Sequence, residues 1–144
     1  FGAEHEFYTE EGSMKYQPFV DFYGLQFKSA KPVDVVLKYN AVEGGAFDVM
    51  VVYATDGLNK RAGLTILEDD FGFFPEYYGA FLIRDNLFAD FYDAAPNLEQ
   101  VLELLTGQVS SEDMVELTYA VDVDGRPVAE VACEFLVKKG LLTQ

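Results

Sequence analysis

"VVYATDGL", residues 51–58, is an apolar run that breaks off in an aromatic residue and then a polar turn. Val51 and Val52 continue the run from Phe47, and Asp56-Gly57 is a strong turn signal. The run reads as a strand covered on both faces, because it is nearly continuously apolar. Tyr53 then stands at the mouth of a sheet, where its ring either packs with the hydroxyl in water or faces a cleft. Working outward, "KPVDVVLKYNAVEGG" predicts a helix with Pro32 at its first position, Val35, Val36, Tyr39 and Val42 at helical spacing, and Gly44-Gly45 as the stop. A helix feeding a buried strand is an α/β pattern.

Further strands are expected at "LTIL" (64–67) and "GAFLI" (79–83), on either side of the aromatic segment "DDFGFFPEYY". From Arg84 on, the chain turns helical. Asp85 is placed to cap a short helix reaching Tyr92, and Pro96 or Asn97 opens another that ends at Gly107. Ser110 with Asp113 three residues later is an acidic variant of the capping box. After a turn at Asp124-Gly125, a last helix runs from Pro127 to about Lys139, with Val128, Val131, Ala132, Phe135 and Leu136 as its apolar stripe and Gly140 as its end.

The 144 residues make one ordinary domain's worth of chain, half of it apolar. Twenty-five acids against ten bases give a net charge of −15, which repels phosphate backbones and sets nucleic acid aside as a partner. The same charge is compatible with a cationic ligand. Cys133 is the single cysteine, so no disulfide and no cysteine metal cluster are expected. No apolar run approaches the ~20 residues of a membrane helix.

Signs of catalysis are few. His5 lies between Glu4 and Glu6 but has no second histidine to share a metal, so it reads as a partly exposed side chain near the first strand. "LEDD" (67–70) lacks the alternating oxygen ligands of a calcium loop and reads as a polar turn. No phosphate loop, nucleophile elbow or Cys-His pair occurs, so neither an enzyme nor a cofactor is expected. The aromatic load stands out instead: nine Tyr and thirteen Phe with no Trp. Tyr53 and the Tyr77-Tyr78 pair lie at segment ends, where ring faces can gather around a quaternary ammonium group, each ring worth ~0.5–2 kcal/mol.

The run "VVYATDGLNKRAGLTILEDDFGFFPEYYGAFLIRDNL" resembles the substrate-binding proteins of ABC importers for glycine betaine, carnitine and choline, which carry a Tyr/Phe-Ser/Thr-Thr-Asp-Gly turn, a "LEDD" strand end and "FFPPY". "FGAEHEFYTEEG" is similar to their "FGAxxEFxxRxDG", and "ELTYAVDVDGRPVAEVACEFLVKKGLL" to their "xLNYxVDxxGxxPxEVAxxFLxxxGLL" ending. The resemblance covers essentially the whole chain. It implies an α/β, type II periplasmic-binding-protein-like fold of two hinged lobes, here as a C-terminal fragment. Residues 1–77 would be the α/β portion of the ligand-binding lobe, and 78–144 the mostly helical C-terminal portion of the other. It also implies a binding protein on the extracellular face or in the periplasm, lipid-anchored or fused to its permease, serving osmoprotection.

By the same resemblance Tyr53 and Tyr77 match two walls of the family's tyrosine cage, with Thr55 and Glu10 as candidate polar contacts. Glu10 falls where the family places an arginine that clamps the ligand's carboxylate. A carboxylate there favours choline, unless Glu10 points to solvent and another group has taken over the clamp. The implied partners are a quaternary ammonium compound and a membrane permease. Exposed apolar hinge surface would also drive self-association of the fragment. The alternative is a structural or interaction domain that kept the scaffold and lost the ligand.

Overall fold

The computed structural model describes residues 1–9 and 11–143. Its elements, in chain order, are β1 (Gly2–Ala3), a 3₁₀ turn (His5–Tyr8), α1 (Tyr16–Tyr23), β2 (Lys31–Pro32), α2 (Lys38–Glu43), α3 (Leu58–Arg61), α4 (Leu87–Asp90), α5 (Leu98–Glu103), α6 (Ser111–Asp122) and α7 (Val128–Lys138). β1 pairs in parallel with β2, Gly2 opposite Lys31 and Ala3 opposite Pro32. On its other side Gly2 forms a parallel bridge to Met50, donating to Val49 O at 2.9 Å and accepting from Val51 N at 2.9 Å. β1 is thus a short central strand, with the run before Tyr53 at its flank.

The small core sits on this strand. Ala3 is fully buried, Phe1 and Phe7 nearly so, and Tyr8, Tyr16, Phe19, Phe27, Ala30 and Val51 close over them. The Phe1 and Phe27 rings stack at 4.5 Å between centroids. Helix α1, which the sequence reading above does not anticipate, supplies Tyr16, Phe19, Val20 and Tyr23 to this side. Their spacing of three, four and seven residues is the helical signal that marks it. Pro18 is tolerated because it lies in the first turn, where its missing N–H has no partner to lose. Gly24 ends α1 at φ +65°.

The helix expected from Pro32 begins instead at Lys38. Lys31 and Val33 donate their N–H groups to Phe1 O and Ala3 O, at 3.0 and 2.9 Å. Pro32 lies between them, so the N–H it lacks would have faced away from β1, and a proline at that strand position costs nothing. The Asp34 carboxylate then accepts from Val36 N at 2.8 Å and turns the chain before α2 starts.

The strand expected over 46–53 is reduced to its bridge with Gly2, and Val49 and Tyr53 are exposed rather than covered. Residues 64–67 and 79–83 are not strands. They carry no regular structure and are largely exposed, with Leu67, Phe81 and Leu82 in solvent, because no neighbouring strand among the described residues takes up their backbone groups. The helix expected from Asp85 shrinks to α4, and the one ending at Gly107 shrinks to α5 followed by turns.

The C-terminal hairpin follows the sequence closely. Ser110 Oγ accepts from Asp113 N at 3.0 Å, and Asp113 Oδ2 accepts from Ser110 N at 3.1 Å, so both halves of the capping box form. Gly125, at φ +68°, makes the turn into α7. Val131 is buried and Phe135 half-buried against α6, whereas Val128 and Ala132 of the expected stripe stay exposed. Lys139 Nζ reaches Asp113 Oδ2 at 2.7 Å and ties the end of α7 to the start of α6. Arg126 forks to Glu130 and Glu134 at 2.5 and 2.7 Å, and these carboxylates raise its already high pKa.

The Lys139 bond, with help from the Ser110 amide, holds the Asp113 carboxyl at about 2, below its ordinary 3.8. A depressed carboxyl stabilises the fold above its unfolded pKa and loses that contribution as pH falls toward the folded value. Asp113→Asn should therefore lower the urea midpoint near neutral pH, and the difference from the parent should close by about pH 2. An equal deficit at both pH values would contradict the capping-box account.

Candidate functional site

The turn after Tyr53 is pinned from several sides. Asp56 N donates to Tyr53 O at 3.1 Å, and Asp56 Oδ1 accepts from Leu58 N at 2.9 Å, starting α3. Asp56 Oδ2 accepts the Tyr39 hydroxyl at 2.5 Å. Tyr39 is buried, and burial followed by this bond pushes its phenol well above the usual range. The neutral Tyr39 hydroxyl is therefore a fixed donor that holds Asp56 and, through it, the turn.

On the other side lies α6. Gly57 N donates to Thr118 Oγ1 at 2.9 Å, and the hydroxyl hydrogen of Thr118 has Met114 O at 2.9 Å and Thr55 O at 3.2 Å within reach. Gly57 has φ −62°, so its requirement is for space and not for an unusual backbone conformation. A Cβ there would lie 2.4 Å from Tyr119 N and 2.6 Å from Tyr119 Cα. Asn59, almost fully buried, donates from Nδ2 to Tyr53 O at 2.7 Å, and its Oδ1 has no hydrogen-bond partner among the described residues.

These constraints leave Tyr53 61% exposed at the end of the apolar run. A cation already stands near it. Lys38 Nζ lies 5.6 Å from the Tyr53 centroid and 5.3 Å from that of Tyr39, and pairs with Glu4 Oε1 at 2.8 Å. Lys38 is only 2% exposed, and so depends on Glu4 and the two rings to offset its lost hydration.

The other expected site residues are placed differently. Tyr77 is 85% exposed, and among the described residues neither it nor Tyr53 stacks on another aromatic ring, so the two are not brought into contact. Thr55 is half-buried and engages α6 through its carbonyl. Glu10 lies outside the described residues. His5 is exposed, and no group of three metal-ligating side chains occurs among the described residues. Cys133 is exposed. No helix of the described residues is long and apolar enough to cross a membrane.

Lys38, Asn59 and Thr118 are the site residues that sequence reasoning missed. Lys38 carried one local signal: a lysine followed directly by the apolar-face residue Tyr39 in the predicted helix. Asn59 and Thr118 carried none, since their roles arise from contacts across the fold.

The substrate-binding domain of ABC-type glycine betaine transport systems matches residues 1–138. The chain belongs to that family. It is 32% identical over 141 residues to the ergothioneine transport permease/ergothioneine binding protein EgtU of Helicobacter pylori (strain G27), covering 98% of this chain and 24% of that protein. It is 32% identical over 137 residues to the carnitine transport binding protein OpuCC of Listeria monocytogenes, covering 95% and 43%. A crystal structure of a glycine betaine/carnitine/choline ABC transporter superposes with TM-score 0.74 at 29% identity, over 97% of this chain and 48% of that one. The chain thus spans between a quarter and a half of the length of these relatives. Its fold is that of the matching part of a type II periplasmic-binding protein, and these relatives are transport and binding proteins rather than enzymes.

In this member of the OpuAC-type domain family, the Gly57–Tyr119 approach fixes the Tyr53 turn. Gly57→Ala is expected to cost roughly 1–3 kcal/mol or more by overpacking, read from the urea midpoint. An unchanged midpoint would mean that α3 and α6 do not meet at this distance in solution.

Proposed function

We propose that the chain is part of the substrate-binding component of an ABC importer that captures a quaternary ammonium compound, with Tyr53 and Tyr77 as walls of a tyrosine cage. The observation that carries this reading is Tyr53 itself: an exposed ring on a rigid turn, at cation–π distance from an ammonium that the protein already supplies. The named ligands of the relatives support the class. Ergothioneine, carnitine and glycine betaine all carry a trimethylammonium group, which has no N–H to donate and is recognised through ring faces.

In this reading residues 1–77 belong to one lobe and 78–144 to the other, and the ligand closes the lobes before delivery to a membrane permease. The protein acts on the extracellular face or in the periplasm, held by a lipid anchor or by fusion to the permease. Thr55 and Glu10 are its candidate polar contacts to the ligand. By resemblance Glu10 matches the family's carboxylate-clamping arginine, and a carboxylate in that role favours choline over glycine betaine. Self-association of the isolated chain belongs to the same reading, since Phe81, Leu82 and Tyr77 leave a row of apolar surface in water. A chain that stays monomeric by light scattering at high concentration would remove that part.

Tyr53→Ala should weaken choline binding about tenfold or more, while Tyr53→Phe, which keeps the ring face, should cost little. Titration calorimetry of the intact protein reads both. Equal losses from the two substitutions, or none from either, would sink the cage. In the unsubstituted protein, glycine betaine binding tighter than choline would keep the cage and retire the argument from Glu10.

A further inference from the structure

The carboxylate of Asp69 takes three donors, two from its own loop and one from α1. Oδ1 accepts from Phe73 N at 2.9 Å and Oδ2 from Phe74 N at 2.7 Å, and Oδ1 also takes the hydroxyl of Tyr23. Gly72 N donates to Asp69 O at 3.0 Å, with Gly72 at φ +70°, which closes the loop on itself. The Tyr23 bond first, and the two amides after it, hold the Asp69 carboxyl below its usual range. Three of the roughly four acceptor positions of this carboxylate are thereby taken by the protein itself.

The rings that follow dock on the same helix. Phe73 packs edge-on against Phe19 at 5.5 Å and lies 5.4 Å from Phe22, Phe74 lies 6.1 Å from Phe19, and Phe71 is 5.8 Å from Tyr23. Pro75 comes next, and its fixed φ stiffens the two residues leading to Tyr77. Tyr77 has no ring or hydroxyl contact of its own among the described residues. Its position is therefore set from upstream, by how residues 69–74 are folded.

We propose that Asp69 is the positioning residue of the Tyr77 wall, folding the 69–74 loop onto α1 through the Phe73 and Phe74 amides and the Tyr23 hydroxyl. This rests on the reading of Tyr77 as part of the cation cage. Asp69→Asn keeps the size and one acceptor oxygen but turns an NH₂ toward an amide that needs an acceptor. Tyr23→Phe removes a single donor and leaves the loop amides paired.

The test is a double-mutant cycle in the intact protein, titrated with choline and with glycine betaine: Asp69→Asn, Tyr77→Ala, both together, and the parent, with thermal midpoints measured in parallel. Asp69→Asn is expected to weaken binding about three- to tenfold in the parent and less than about twofold in the Tyr77→Ala background, because the two act as one unit. Equal losses in both backgrounds, or no loss in the parent, would overturn the proposal while leaving the cage standing. Tyr77→Ala without effect would remove the cage wall, and the proposal with it. Should Asp69→Asn fail to fold, Tyr23→Phe takes its place in the cycle, with a smaller loss expected and the same dependence on Tyr77.

Discussion

Gly57 has room for a hydrogen and nothing larger, and the site depends on that closeness. Because α6 reaches the turn backbone to backbone, the Thr118 hydroxyl can take the Gly57 N–H and lie within reach of the Thr55 carbonyl. The turn is then gripped from α2 through Tyr39 and Asp56, from α3 through Asn59, and from α6 through Thr118. None of these bonds involves the Tyr53 ring, which is left facing outward from a rigid base. A ring face held this way would give up little conformational freedom if it bound a ligand, and preorganisation of that kind raises affinity by lowering the cost of ordering.

The electrostatics near the ring follow from the same packing. With a net charge of −15 the chain attracts cations at long range, yet the Lys38 ammonium lies 5.6 Å from the Tyr53 ring. Held at 5.6 Å, that ammonium draws on the ring potential an incoming cation would use. Glu4, 2.8 Å from it, offsets the positive charge at that point. The Lys38–Glu4 pair thus leaves the charge beside the ring compensated.

What was legible in the sequence is what depends on near neighbours. The Asp56-Gly57 turn, the Ser110–Asp113 capping box and the Gly125 turn into α7 are each decided by three or four consecutive residues, and all three formed. The same local pattern put Tyr53 at the end of the apolar run but left open whether its ring packs or faces a cleft; in the structure the residue is exposed. Pro32 misled, because a proline suits a first helical turn and a strand position with its N–H side unpaired equally well, and only the Gly2–Lys31 register distinguishes them. The expected strands at 64–67 and 79–83 needed partners, and apolar content does not supply them. Lys38, Asn59, Thr118 and the Tyr23–Asp69 bond join residues between six and sixty-odd positions apart, which no local pattern encodes.

The central claim is that the Tyr53 face recognises positive charge and not merely the shape of a branched apolar group. The most direct measurement is titration of the intact protein with choline and with its neutral analogue, in which a carbon atom replaces the quaternary nitrogen. The two have nearly the same size and apolar area, so hydrophobic burial contributes about equally to both. A cation cage predicts choline binding tighter by about tenfold or more. Equal affinity for the two would contradict it.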